Sequence, residues 1–399
     1  MSNNTLERKG KYSVMTIVCM IGFFLSNISY LPYFAENGLT QYLSYPAWAL
    51  ILGTVFLYKQ WYLSARDVKF VIILLGGIGL IALLQGLLSK DYFSSLLTKC
   101  FMLVMVITLT GGMVARTRKT WNAENLLFYS YITATVILCL VVFKDYLVGQ
   151  DLSSLVYSYR SKNETAFLTV GSVIMLLYMQ PKKETKVMVL LKCCLIAFFV
   201  YIIACMRCRS MLIGVALALV VRLFHKGGNK GIKVFIALGF VGVALGLLND
   251  RFYDELVNNI LFASRDSTDI NALSSGRLDQ IAYGWGQFEK NVLLGTGDTY
   301  TVDCFYVSAL MQYGLFIGGA LIVLGVYPLI WGLWNYKRIK TPECMIMILC
   351  TLAFAVGGIF EENAPFGPGV RCYISWFLFG YLRVQQALGC FEGEKHEKN

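Results

Sequence analysis

The chain has 399 residues, of which 57% are hydrophobic and only 15% are charged. A soluble globular protein carries roughly 25% charged residues, so this composition excludes a single water-excluded core and predicts one membrane domain over residues 1–399. The net charge of +11 does not indicate a nucleic-acid partner, because the basic residues lie in short tracts between apolar runs, as in cytoplasmic loops.

Twelve apolar runs, taken in chain order, predict transmembrane helices, because about 20 apolar residues span a bilayer. They lie at roughly 12–31, 42–58, 68–88, 96–115, 126–148, 164–180, 187–206, 210–224, 232–249, 303–334, 344–360 and 369–390. The eighth run is the weakest, since about 15 residues at a rise of 1.5 Å fall short of a 30 Å core. The predicted fold class is an all-α polytopic membrane protein of about twelve helices.

The distribution of Lys and Arg predicts the orientation of these helices. With the N-terminus inside, the cytoplasmic segments hold 22 basic residues and the external segments hold 11. Both termini, including the tail at 391–399, are therefore expected in the cytoplasm. Lys99 and Lys192 fall within helices and are expected to snorkel toward the nearby helix ends.

The segment 250–302 is then the only sizeable external loop, and it precedes the tenth predicted helix. Within it, residues 276–291 carry an apolar stripe at helical spacing, formed by Leu278, Ile281, Ala282, Trp285 and Phe288. This stripe predicts an amphipathic helix that either lies in the membrane interface or covers the helix bundle.

Basic residues lie at the external starts of two predicted helices. Arg207 and Arg209 precede the eighth helix, with Ser210 as its expected N-cap, and Arg160 precedes the sixth helix, with Asn163 as its expected N-cap. Guanidinium groups beside a helix N-terminus suit phosphate or pyrophosphate, because the dipole end and the planar donor fork both favour oxyanions. The alternative is an interfacial anchor that contacts lipid phosphates.

Three external carboxylates are candidate general bases. Asp303 opens the tenth helix, where it is either a base or an N-cap, and Glu361 and Glu362 follow the eleventh helix. Histidine is not a candidate, because His225 and His396 both fall in cytoplasmic segments. The sequence has no phosphate-binding P-loop motif and no paired Cys or His spacing, so neither a metal nor another cofactor is expected.

Four external motifs together resemble a known enzyme superfamily. They are RSKNETA at 160–166, CRSML at 208–212, SGRLDQIAYGWGQFEKNVLLGTG at 275–297 and DCFYVSALMQYGLFIGG at 303–319. In their order, spacing and side of the membrane they resemble the O-antigen polymerase and O-antigen ligase superfamily of bacterial envelope glycosyltransferases. The resemblance covers residues 159–319, which is less than half of the chain.

The resemblance implies a GT-C-like enzyme in the bacterial cytoplasmic membrane. Such an enzyme takes a glycan from undecaprenyl pyrophosphate at the outer face and transfers it to an acceptor, without a nucleotide sugar or an obligatory metal. Carried over to this chain, Arg209 and Arg277 would neutralise the pyrophosphate, with Arg160 and Arg207 in support. A chain-length regulator and a flippase of the same pathway are the implied protein partners.

One departure from the superfamily pattern favours a polymerase of O-antigen, capsule or exopolysaccharide repeat units. Ligases of the superfamily usually carry His at the position of Asp303, and this chain has no external His. A ligase that attaches finished glycan to lipid or protein is the first alternative. A secondary transporter or a lipid-linked oligosaccharide flippase is the second, although these often show repeated halves and the chain shows none.

Overall fold

The computed structural model describes residues 14–57, 107–117, 123–148, 162–179, 184–261, 276–297, 302–362 and 372–390, together with positions 69, 73, 76, 77, 274, 300 and 366. Every regular element in these ranges is a helix. The all-α prediction is therefore confirmed for the described residues. The predicted span at 68–88 and the first part of the one at 96–115 lie almost entirely outside them.

Fifteen helices are formed in the described ranges. They are α1 (Val14–Ile28), α2 (Pro32–Glu36), α3 (Thr40–Leu57), α4 (Thr108–Thr117), α5 (Ala123–Leu147), α6 (Lys162–Tyr178), α7 (Lys186–Cys205), α8 (Arg209–Phe224), α9 (Lys230–Gly246), α10 (Asp250–Tyr253), α11 (Arg277–Lys290), α12 (Phe305–Tyr313), α13 (Gly319–Ile339), α14 (Pro342–Gly357) and α15 (Tyr373–Ala387). Two π-helical turns extend them, Asp254–Leu261 after α10 and Gly314–Gly318 between α12 and α13.

Several described helices are apolar enough to cross a membrane. Asn125–Leu147, Lys186–Cys205 and Phe305–Ile339 are also long enough, and a fourth span is counted if Lys230–Gly246 and Asp250–Asn258 form one, although these two meet at 109°. Thr16–Ile28 and Pro342–Gly357 are apolar but shorter. The described residues thus support a membrane protein with several spans, whereas the number twelve stays a prediction.

Helices α6 and α14 form the centre of the bundle. Helix α6 packs on α5, α7, α8 and α14, and each of its residues from Thr165 to Tyr178 is buried. Helix α14 also packs on α8, α13 and α15. Thr341 caps its start by accepting a hydrogen bond from the Cys344 backbone amide at 3.4 Å, and Pro342 occupies the first turn, where no amide donor is needed.

A buried asparagine joins the first helix to the last. The Asn27 amide donates to the Tyr131 carbonyl oxygen and to the Thr135 hydroxyl on α5, each at 3.1 Å. Its Oδ1 accepts from the Tyr373 hydroxyl on α15 at 3.2 Å. Because an unpaired buried amide costs about 1–3 kcal/mol, these bonds fix α1, α5 and α15 in one register.

The Lys192 ammonium group reaches back past the start of α7, in the direction that snorkelling requires, and is bonded within the protein, whereas Lys99 lies outside the described residues. Lys192 lies on α7 with only 6% of its surface exposed, donates to the Met179 carbonyl oxygen at 2.8 Å and pairs with Glu184. Asn229, the N-cap of α9, donates to the other Glu184 oxygen at 2.7 Å. Burial alone would raise the pKa of the Glu184 carboxyl, but the bonds from Lys192 and Asn229 outweigh it and lower that pKa.

Two glycines bring α4 and α15 into backbone contact. A Cβ on Gly380 would lie 1.9 Å from the Thr108 carbonyl oxygen, and one on Gly111 would lie 1.9 Å from the Phe377 carbonyl oxygen. Gly380→Ala is therefore expected to push the helices apart and to destabilise the protein by at least about 1–3 kcal/mol. The measurement is the apparent melting temperature in detergent. Gly239→Ala is the control, since a Cβ there meets no atom within 4 Å, and equal stability of the two variants would contradict the prediction.

Candidate functional site

Helices α7 and α8 are joined by a tight, strained turn that carries two of the predicted arginines. Arg207 adopts a left-handed backbone conformation with φ of 48°, which is unusual for a residue with a long side chain. The Arg209 amide donates to the Arg207 carbonyl oxygen at 3.1 Å, and both arginines are half-buried. The N-cap of α8 is Cys208, so the expectation that Ser210 caps this helix is wrong.

Asn163 links this turn to the end of α14. It lies in the first turn of α6, inside the helix and not at the N-cap as expected, and its Nδ2 donates to Glu361 Oε1 at 2.6 Å. Its Oδ1 accepts from the Cys208 thiol at 3.7 Å. This single amide therefore couples three segments that are far apart in the sequence.

Arg277 connects Glu361 to a second predicted carboxylate. It is the first residue of α11, with 25% of its side chain exposed. Its Nε lies 3.6 Å from Asp303 Oδ2, and its Nη2 lies 3.9 Å from Glu361 Oε1. Both contacts are ion pairs longer than a hydrogen bond, and the Arg277 Nε makes no hydrogen bond. The guanidinium therefore keeps donor capacity for an additional anion.

The two carboxylates differ in exposure and in their other contacts. The Asp303 side chain is 54% exposed, whereas the Glu361 side chain is 18% exposed and is held by Asn163. Asp303 does not cap the following helix, because Cys304 occupies the N-cap position and α12 begins at Phe305, so the N-cap alternative is wrong. The Asp303 backbone amide donates to Gln280 Oε1 at 3.2 Å, which ties it to α11.

Backbone hydrogen bonds fix the start of α12 against the end of α14. The Phe305 amide donates to the Gly358 carbonyl oxygen at 2.8 Å and to the Glu361 carbonyl oxygen at 3.1 Å. The Tyr306 hydroxyl donates to the Ala355 carbonyl oxygen at 2.6 Å. Asp303 and Glu361 are thus attached to backbone segments that are bonded to each other.

The loop after α11 stabilises a break in the next helix. At Gly314 the α-helical bonding of α12 gives way to the π-helical turn, and the loop then bonds to carbonyl groups near the break. The Thr296 amide donates to the Met311 carbonyl oxygen at 2.8 Å, and the Gly297 amide donates to the Gln312 carbonyl oxygen at 3.2 Å. Gly295 has φ of 73°, and a Cβ there would lie 2.5 Å from the Gln312 backbone. The glycine-containing turn of the third motif therefore supports the helix that follows Asp303.

The predicted amphipathic helix is present as α11, and its apolar stripe is divided. Ile281 packs against a small buried cluster formed by Val302, Cys304 and Met311, and Phe288 is buried. Leu278 and Trp285 stay exposed on the same helix. The helix therefore covers the start of α12, as one alternative expects, and also presents apolar side chains outward, while its place in the membrane interface stays a prediction.

The predicted site residues meet largely at one end of the bundle. This site end is where α6, α8, α11 and α12 begin and where α7 and α14 end. Arg277, Asp303 and Glu361 are in direct contact there, and Arg207 and Arg209 flank Cys208, which reaches Glu361 through Asn163. Glu362 is half-buried beside Glu361. The candidate Arg160 lies outside the described residues.

Neither comparison with known proteins identifies a relative. No protein-family model matches the chain, and no curated protein matches it. The resemblance of the four motifs to the O-antigen polymerase and ligase superfamily therefore stays a prediction.

Two residues of this network were missed as functional candidates. Asn163 is expected from the sequence only as a helix cap and Cys208 only as part of the CRSML motif, yet Cys208 contacts Asn163 and Asn163 contacts Glu361. Their positions in the sequence could have indicated this role, since each residue lies in an arginine-containing motif at a predicted helix start.

The Cys208 thiol is expected to be unreactive. Burial, together with the nearby charge of Glu361, raises its pKa to about 11. Below that pH the thiol stays protonated, so its thiolate fraction at pH 8 is roughly 100-fold below that of an ordinary cysteine. In variants that keep one cysteine each, maleimide should label Cys208 far more slowly than the exposed Cys390. Equal labelling rates would show that Cys208 is accessible and outside the network.

Proposed function

We propose that the chain is a polytopic membrane glycosyltransferase, a polymerase of lipid-linked polysaccharide repeat units. Its donor is a glycan on undecaprenyl pyrophosphate, and transfer takes place at the outer face of the bacterial cytoplasmic membrane. In this proposal the chain has about twelve spans, both termini lie in the cytoplasm and the site end faces outward. The observation that carries it is the convergence at one end of the bundle of residues from four separate motifs, represented by Asn163, Cys208, Arg277 and Asp303.

The arginines of the site end are proposed to hold the pyrophosphate. Arg207 and Arg209 bracket the start of α8, where the helix dipole also favours an anion. Arg277 adds a third guanidinium, whose contacts to carboxylates are long enough to be exchanged for contacts to phosphate oxygen. Preorganised cations of this kind stabilise the charge that develops on the leaving pyrophosphate.

Asp303 is proposed as the general base. It takes the proton from the acceptor hydroxyl, whose oxygen bonds to the anomeric carbon as the carbon–oxygen bond to pyrophosphate breaks. Exposure favours Asp303 over Glu361, because an incoming sugar can reach a side chain that is 54% exposed. Glu361 Oε1 already accepts from Asn163, so its proposed role is to orient Arg277.

The position of histidine supports a polymerase over a ligase. His225 follows the last residue of α8, at the opposite end from Arg209, and the other histidine, His396, lies outside the described residues. A ligase-type His base is therefore not provided by the described residues of the site end. A carboxylate base at Asp303 is consistent with a polymerase.

The deciding experiment is deletion of the gene followed by analysis of lipid-linked glycans. Accumulation of single repeat units on undecaprenyl pyrophosphate is the result expected of a polymerase. Long lipid-linked polymer without attached product would instead identify a ligase. Units retained on the cytoplasmic leaflet would identify a flippase, and unchanged glycans would overturn the whole proposal.

A further inference from the structure

A second cluster of basic residues lies at the end of the bundle opposite to Arg277. There α6 ends at Tyr178, α8 ends at Phe224, and the loop 225–229 leads into α9. Helix α8 has 16 residues, so about 24 Å separate this loop from the start of α8. The cluster is therefore distinct from the proposed glycosyl-transfer site.

Arg222 is the centre of the cluster, and its charge is buried without a carboxylate partner. Only 1% of its surface is exposed, and its guanidinium lies over the Tyr178 ring at 5.1 Å. Nη1 donates to the Gly227 carbonyl oxygen at a long 3.4 Å, while Nε has no hydrogen-bond partner. Among the described residues no carboxylate lies within ion-pair distance of Arg222. The nearby Glu184 is already held by Lys192 and Asn229.

The loop that covers Arg222 has the composition of an anion-binding loop. Gly227 and Gly228 have φ of 111° and 76°, and a Cβ on Gly228 would lie 2.0 Å from the Arg222 Nη2. The guanidinium is thus aimed at the loop backbone, just before the N-terminus of the 17-residue helix α9. Successive glycines followed by a helix N-terminus favour phosphate, because amide groups and the helix dipole point toward it.

Further positive charge surrounds the same loop. Lys233 on α9 donates to the His225 carbonyl oxygen, and Lys226 and Lys230 are exposed on either side of the glycines. The pKa of His225 is lowered by burial and by the charges of Arg222 and Lys233. The positive charge around the loop therefore lowers the pKa of the histidine that begins it.

We propose that Arg222, Lys233 and the glycine loop 225–229 form a binding site for a phosphate group. The group is supplied either by a phospholipid headgroup or by free phosphate. An ordinary helix cap does not account for the arrangement, since a capping arginine satisfies helix-end carbonyl groups and Arg222 reaches one carbonyl oxygen weakly. Phosphate supplies an acceptor for Nε and a negative charge in direct contact, whereas the charge of Glu184 acts on Arg222 only from beyond ion-pair distance.

The test uses the full-length protein in detergent and follows its apparent melting temperature. Sodium phosphate is titrated at constant ionic strength against chloride, and in a second arm phosphatidylglycerol is compared with diglucosyl diacylglycerol, which has no phosphate. Stabilisation by sodium phosphate identifies free phosphate as the ligand, and stabilisation only by phosphatidylglycerol identifies the headgroup. Failure of both probes to stabilise the protein overturns the proposal.

Variants assign the effect to this cluster. Arg222→Gln is expected to weaken phosphate or phosphatidylglycerol binding by roughly tenfold or more, the loss expected for a charge-assisted hydrogen bond. Arg338→Gln is the matched control, because Arg338 is exposed near the end of α13 at the same end of the bundle. If Arg222→Gln does not fold, Lys233→Gln takes its place. A wild-type response from the variant that folds removes the cluster from phosphate binding.

Discussion

Arg277→Ala is expected to reduce polymer formation at least about 100-fold, the usual effect of removing one preorganised group that stabilises developing negative charge. Arg277 lies 3.6 Å from Asp303 and 3.9 Å from Glu361, so its removal also takes away the cation that these two carboxylates share. The measurement is polymer length and initial rate with lipid-linked repeat units in membranes, normalised to the amount of protein.

Two further variants separate charge from geometry at this position. Arg277→Lys keeps the charge but loses the planar fork that spans both carboxylates, so its rate should fall between those of wild type and Arg277→Ala. Arg338→Ala removes an exposed arginine far from the site end and should leave the rate unchanged. Full-length polymer made at the wild-type rate by Arg277→Ala would exclude Arg277 from the reaction.

Asp303→Asn is expected to lose roughly 100-fold or more in rate, because a general base contributes about that factor and asparagine cannot accept the proton. The protein level should not change, since the Asp303 side chain is 54% exposed and its ion pair with Arg277 is long. The rate is measured from the same lipid-linked substrate as for the Arg277 variants.

Glu361→Gln is the matched comparison for Asp303→Asn. The glutamine oxygen can still accept from Asn163, while the ion pair to Arg277 is lost. A smaller loss of rate is expected, because the variant disturbs the orientation of Arg277 and leaves the base in place. The reverse order, with Asp303→Asn active and Glu361→Gln inactive, would make Glu361 the base and Asp303 its support.

Local sequence patterns predicted the helices of the site end well. The run 210–224 corresponds to α8 at Arg209–Phe224, and the apolar spacing in 276–291 corresponds to α11 at Arg277–Lys290. Both predictions rest on residues three or four positions apart, which share a helix face whatever the rest of the chain does. Helix boundaries of this kind follow from nearby side chains alone.

The helix caps and the pairings of charged side chains could not be predicted in this way. Ser210, Asn163 and Asp303 all stand near helix starts, but none is the N-cap in the structure. Asn163 bonds to Glu361, which is 198 positions away, and Asp303 pairs with Arg277. Lys192 pairs with Glu184, which precedes the first residue of α7, and the expectation of snorkelling did not name this partner. Each partner is set by how whole helices pack, and the sequence around either residue does not contain that information.

The bond between Asn27 and Tyr373 can form only late in the synthesis of the protein. The two residues are 346 positions apart, so at about 5–20 residues per second the first helix waits on the order of 20–70 s for the last one to emerge from the ribosome. During that interval the Asn27 oxygen lacks the donor that it has in the finished protein. A chain released before residue 373 never acquires this bond between α1 and α15, so the incomplete product keeps a buried amide oxygen without its Tyr373 donor.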